Sequence, residues 1–132
     1  MEITKVEDRP SYQGKPEYFT GVVWVDPIVL TSTAPRLRAL RATFEPGART
    51  AWHTHPFGQV LHILSGLGRV QQEGGKVVTV RPGDTVVIKP GERHWHGAVP
   101  GHALVHLAMQ NGDDNGDDVT WLEKVTDAQY GA

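Results

Sequence analysis

No cysteine occurs anywhere in the chain. That absence removes disulfides, thiolate metal ligands and cysteine nucleophiles at once, so any metal has to be held by nitrogen and oxygen. Neither sign of charge prevails: 13 Lys and Arg stand against 15 Asp and Glu, a formal net charge of -2. Without a basic excess or a basic run there is no footprint for nucleic acid and no grip for a membrane surface. No apolar stretch approaches the ~20 residues of a membrane-spanning helix. The opening residues, Met1-Glu2-Ile3-Thr4-Lys5-Val6-Glu7-Asp8, are charged and lack the apolar core of a secretory signal, so the expected location is cytoplasmic. What remains is a chain of 132 residues, 39% of them hydrophobic, a size that suits one domain around one core.

Long helical periods are also missing. Instead, 15 glycines and nine prolines punctuate short runs rich in Val, Leu, Ile and Thr, which is the pattern of an all-β sandwich or barrel. The runs predict strands at Phe19–Val25, Arg36–Glu45, Gln59–Leu64, Thr85–Ile88, Arg93–His96, Ala103–Gln110 and Val119–Val125. Arg69–Gln72 and Lys76–Val80 form a hairpin across Glu73-Gly74-Gly75, where glycine permits the turn. Arg81-Pro82-Gly83-Asp84 is a turn by composition. Thr126–Tyr130 is expected as one capped helical turn. The acidic segment 111–118, Asn-Gly-Asp-Asp-Asn-Gly-Asp-Asp, lacks the glycine position and terminal glutamate of a calcium-binding EF-hand and is expected to be a solvated loop.

Seven histidines in so short a chain call for an explanation, and their spacing offers one. His53 and His55 alternate by two, so both project from one face of an extended segment. Gln59 keeps that parity if the intervening turn preserves the register, and His94 arrives from a neighbouring strand. Pro56 restricts His55 to extended geometry, and glycines at 47, 66, 83 and 91 turn the chain at strand ends. The expected metal ligands are therefore His53, His55, Gln59 and His94. His62 has the opposite parity to Gln59 and should face outward or into a subunit contact; His102, beside Pro100-Gly101, belongs to a loop.

These two segments resemble the two motifs of the cupin superfamily. Gly47, His53, His55, Gln59 and Gly66 match the first, with Gln59 where glutamate is usual. Gly83, Gly91 and His94 match the second, with Lys89 in place of the usual proline, which is shifted to Pro90, and Ala98 in place of the usual asparagine. The resemblance implies a single-domain cupin, a double-stranded β-helix or jelly-roll barrel. It would occupy about 36–110, with N-terminal strands at about 1–30 and a C-terminal strand and turn at 119–130. A narrower resemblance spans nearly the whole chain. It rests on Phe44–Pro56, Gly58-Gln59, His94-Trp95-His96-Gly97-Ala98, His106-Leu107-Ala108, Val119-Thr120-Trp121 and Val125-Thr126-Asp127. The sequence is similar there to the bacterial manganese-dependent cupin-type hydroxynitrile lyases. That family implies cyanohydrin cleavage or formation on a small-molecule substrate, manganese at the four ligands, and pocket residues at Thr50, His96, His106 and Gln110. It further implies a homo-oligomer, a dimer or a tetramer, through the first strands.

The residues themselves bear on the chemistry. Three imidazoles and an amide leave the charge of a divalent cation undamped, which suits polarisation of a bound oxygen; besides manganese, such donors accept iron, nickel or zinc. His96 shares the parity of His94, and His106 lies on one face with Ala108 and Gln110. A histidine near the metal but outside its ligand set is a natural general base, the role expected of His106. Leu40, Ala42, Phe44, Thr50, Phe57, Val60 or Leu61, and Trp95 are expected as pocket walls, mostly apolar, for a small substrate with one oxygen handle. The same ligands would also serve a cupin dioxygenase or decarboxylase, or a metal-bound module that binds without turnover.

Overall fold

A computed structural model describes residues 1–29 and 36–131; residue 30, the far end of the expected N-terminal region, lies outside them. After a single 3-10 turn at Val6–Asp8, the strands are β1 (Tyr12–Gln13), β2 (Phe19–Thr20), β3 (Val23–Pro27), β4 (Leu37–Phe44), β5 (Arg49–Thr50), β6 (His53–Thr54), β7 (Gln59–Gly66), β8 (Gly68–Gln72), β9 (Val78–Val80), β10 (Thr85–Ile88), β11 (His94–Ala98), β12 (Leu104–Asn111) and β13 (Thr120–Trp121). One helical turn, α1 (Asp127–Tyr130), follows. No helix among the described residues is long and apolar enough to cross a membrane.

Period-two patterning builds two sheets. One runs β1-β3-β4-β12-β7-β10. The other runs β13-β6-β11-β5-β2, with β8 on the far side of β11 and β9 beyond β8. In β12 every second residue from Leu104 to Gln110 is buried, so His106, Ala108 and Gln110 share the inward face as the alternation requires. The inner faces enclose a core of Val23, Val25, Ala42, Phe44, Ile63 and Leu104. Leu61, Ile88 and Ala108 make a smaller cluster beside it.

Several boundaries differ from the sequence reading, each for a local reason. Phe19–Val25 divides into β2 and β3, which lie in different sheets, at Gly21 with its φ of 77°. Only Thr120–Trp121 of Val119–Val125 pairs as strand. Gly66 justifies its place in the motif: φ is 87°, and a Cβ there would stand 1.9 Å from the Ala103 carbonyl oxygen. Any side chain would force β7 and β12 apart.

The C-terminal turn forms as expected, with Thr126 and Gln129 satisfying each other's main-chain N–H groups in a capping box. Its anchor is Arg49, 4% exposed, which donates to the Val125 carbonyl (3.2 and 2.9 Å) and to Asp127 (2.6 Å) while lying 4.7 Å over the Tyr130 ring. The Tyr130 hydroxyl donates to the Ala98 carbonyl, and burial pushes its pKa up to about 12.

Candidate metal centre

Register brings the two histidine clusters together. In the antiparallel pairing of β6 and β11, His94 stands directly opposite His53, close enough for their rings to interact across the strands. The chain is interrupted between β5 and β6 at Ala51-Trp52. There Ala51 N–H turns to the Tyr18 carbonyl, and Trp52 exchanges main-chain bonds with Glu123 and Leu122. That break changes the parity, so both Thr50 and His53 reach the inside. Farther on, the His55 carbonyl accepts from Gly58 (3.2 Å) and Gly91 (2.9 Å), tying the turn of the first cluster to that of the second.

Three of the histidines share one device. His53 Nδ1 lies 2.9 Å from the Ala51 carbonyl, His55 Nδ1 2.6 Å from the Asp118 carbonyl, and His94 Nδ1 2.9 Å from the Glu92 carbonyl. A carbonyl only accepts, so each Nδ1 carries the proton and each Nε2 keeps its lone pair. Burial lowers all three pKa values, His94 to about 4, and His53 is lowered further by His94 and His55 beside it. At neutral pH the rings are uncharged and available as donors to a cation.

The fourth expected donor is Gln59. Its Nε2 donates to Gln110 Oε1 at 3.1 Å, which leaves its Oε1 3.2 Å from His94 Nε2. Both of those atoms are acceptors in this tautomer. Two lone pairs face each other across a buried gap, an arrangement that a cation between them would satisfy. The buried His55 Nε2 likewise has no hydrogen-bond partner among the described residues. The residues present thus fit a divalent metal. Among the described residues, one ring nitrogen each of His53, His94 and His96 lies within 4.8 Å of the others. His55 lies outside that triplet, with its ring centroid 5.1 Å from that of His53 and 5.4 Å from that of His94.

His96 and His106 form a separate pair, with His106 Nε2 3.0 Å from His96 Nδ1. Both are buried, and Phe44 packs against them at centroid distances of 5.8 and 5.2 Å. Burial lowers both pKa values, that of His106 to about 4. His96 Nε2 and His106 Nδ1 have no hydrogen-bond partners among the described residues. Thr50 Oγ1 accepts from His96 N–H at 3.2 Å, which leaves its own proton free to be donated.

A cavity of about 230 Å³ opens beside these groups. Leu40, Ala42, Phe44 and Thr50 line it as expected, together with His53, His55, Gln59, His96, His106 and Gln110. The other expected wall residues are elsewhere. Trp95 is fully buried on the opposite face of β11, against Trp52, Val125 and Tyr130, with its indole N–H on Gln71. The alternation that turns His94 and His96 inward turns Trp95 outward. Phe57 stands half exposed at the turn and borders an outer groove with Val60. Leu61 is buried in the small cluster by Ile88. Their places are taken by Tyr12, Phe19, Val25, Val119 and Trp121, none of which the sequence reading assigned to the walls. Trp121 covers His53 at 4.7 Å and stacks on Tyr18. His62 points away from the cavity to Thr85 Oγ1, and His102 lies exposed in its loop.

Asp118 was also missed. It ends the acidic segment expected to be wholly solvated. The stretch up to Asp117 is largely exposed, but Asp118 is half-buried and reaches the cavity, where its carboxylate accepts from Gln110 Nε2 at 2.9 Å. Gln110 is therefore bonded at both ends of its amide. Composition marked the segment as acidic; only the fold shows which carboxylate turns inward.

A β-barrel of two facing sheets with a histidine-rich centre between them is the architecture of the cupin domain, and the model of that family matches residues 40–108. The chain belongs to the cupin family. It is 49% identical to a protein of Granulicella tundricola named (R)-mandelonitrile lyase, over 98% of each chain. Among solved structures it is similar to a cupin-like protein from Thermotoga maritima, at 36% identity and a TM-score of 0.84 over 96% of this chain and 95% of that one. The polyketide cyclase RemF of Streptomyces resistomycificus shares the fold at 18% identity and a TM-score of 0.77, over 98% of this chain and 90% of that one.

Proposed function

We propose that the protein is a metal-dependent lyase that cleaves and forms cyanohydrins. The observation that carries the reading is the near-full-length kinship with a named mandelonitrile lyase; the uncharged donor set beside an apolar cavity agrees with it. His53, His55 and His94 through Nε2, and Gln59 through Oε1, would hold the cation, with manganese named first and iron, nickel or zinc compatible with the same donors. A bound divalent cation supplies Lewis acidity toward an oxygen of the substrate. His96 is assigned to the substrate side. Its Nδ1 meets another histidine rather than a carbonyl, so either ring of the pair can carry the shared proton and His96 is free to pass it on.

In the cleavage direction the hydroxyl proton goes to His96 Nε2, and the Nδ1 proton of His96 passes to His106 Nε2. His106 is thus the terminal base. The bond between the carbinol and nitrile carbons breaks, its electron pair leaves with cyanide, and a carbonyl forms. The stored proton returns to give hydrogen cyanide. The Thr50 hydroxyl would donate to the developing charge. Leu40, Ala42, Phe44 and Trp121 exclude water and hold the organic substituent. Gln110, bonded at both ends of its amide, would orient Gln59.

The reading carries with it a cytoplasmic homo-oligomer, a dimer or a tetramer. The two-residue β1 lies at an open sheet edge with exposed Tyr12 and Trp24 nearby, and pairing would cover them. Incubating the manganese-loaded protein with mandelonitrile should release benzaldehyde above the buffer rate, and stripping the metal should abolish the release. No turnover of mandelonitrile or an aliphatic cyanohydrin would defeat the proposal, and oxygen consumption by the iron form would redirect it to oxygenase chemistry.

A further inference from the structure

We infer that Asp118 is a positioning residue: its carboxylate fixes the direction of a two-amide chain so that Gln59 offers oxygen, not nitrogen, to the metal. The inference rests on the metal reading above.

An amide can turn over at little steric cost, because its oxygen and nitrogen are nearly the same size. Gln59 alone has reason to turn: its N–H would then bond the lone pair of His94 Nε2 and close the site to a cation. Gln110 prevents this only while its own oxygen faces Gln59 Nε2, 3.1 Å away. The direction of Gln110 is in turn set at its far end, 2.9 Å from Asp118 Oδ2. A carboxylate has no proton to give, so Gln110 must present nitrogen there and oxygen to Gln59. Reversing the chain would place Gln110 Oε1 against the Asp118 carboxylate and leave acceptors facing acceptors in a half-buried position.

The same residue holds His55 through its main-chain carbonyl, 2.6 Å from Nδ1. Asp118 thus bears on two of the four donors by independent routes, on His55 directly and on Gln59 through Gln110, and the first is indifferent to its side chain. The loop that delivers it is closed from within: Asp113 Oδ1 accepts from the N–H groups of Asn115 and Asp117, both at 2.9 Å.

The independence of the two routes makes the test clean. Asp118→Asn keeps the size, the loop and the carbonyl bond to His55, and it can still bond Gln110, but it accepts either end of an amide and so loses direction. Manganese affinity, read from the free-ion electron paramagnetic resonance signal during titration of metal-free protein, should fall roughly tenfold, in the range for groups that orient metal ligands. Asp117→Asn, an exposed change in the same loop, should leave it unaltered. In a Gln59→Glu background the sign should change. There both ends of Gln110 face carboxylates, so Asp118→Asn should leave affinity equal or raised. A merely structural role for Asp118 would weaken binding in both backgrounds. Unchanged affinity in Asp118→Asn, or a loss repeated beside Gln59→Glu, would overturn the inference while leaving the metal reading intact. A wild-type protein that takes up no manganese would overturn both.

Discussion

His106 is enclosed on every side, and its Nε2 has His96 Nδ1 as its hydrogen-bond partner. If it stores the substrate proton, His106→Ala should lower kcat by ~10²–10⁴-fold without changing the metal content of the purified protein. Loss of both together would point to a structural role. Leu40 and Ala42 stand opposite Ala108 and His106 in adjacent strands and face the cavity. Replacing Leu40 with Ala should shift kcat/KM toward bulkier aldehydes by about 10-fold, the scale on which a few methylenes discriminate in an apolar pocket. Competition between benzaldehyde and a larger aromatic aldehyde in the synthesis direction measures that shift. At this scale the sequence was informative where chemistry demanded a residue type, as at His53 and His94. It was silent on Asp118, because five other Asn and Asp residues in the same segment hid the one that turns inward.

Between elements, the segment running from Val125 to α1 is held by few but well-placed bonds. Arg49 is buried with its guanidinium on the Val125 carbonyl, whereas its partner Asp127 is largely exposed. The ion pair itself contributes little there; the bonds to the carbonyl count for more. Arg49→Met should therefore destabilise the protein by ~1–3 kcal/mol, the cost of stranding a buried carbonyl. Urea denaturation monitored by tryptophan fluorescence would read it, since Trp52 and Trp95 lie in the adjoining cluster. Thr126→Ala, which removes the capping box, should cost ~1 kcal/mol. Strand identities were legible from period-two alternation, and the same alternation excludes Trp95 from the cavity wall. The residue between two inward histidines has to face outward, and a second apolar layer under α1 receives it.

For the whole molecule, five buried histidines packed together make stability depend on pH. Burial is the leading cause in each case, and it holds His94 and His106 at about 4 and the others below their ordinary value. In the unfolded chain they titrate near ~6.5. Between those values the unfolded state binds more protons than the folded one, so stability falls as pH falls. The metal-free protein should show a denaturation free energy that is flat from pH 7 to 8 and declines as the pH drops from about 6.5 toward 4. Urea titrations at fixed pH would reveal it; constant stability down to pH 5 would contradict the burial argument.

By itself the sequence determined the class of fold and the kinds of donor, because alternation, glycine placement and the lack of cysteine are local properties that one strand at a time can express. Which atoms meet was decided only in three dimensions. The register that sets His94 against His53, the interruption at Ala51-Trp52 that turns Thr50 and His53 inward alike, and the run of bonds from Asp118 through Gln110 to Gln59 all join residues far apart in the chain. Hydrogen-bond direction depends on what lies at the far end of the chain of amides, and no spacing within a single segment carries that information.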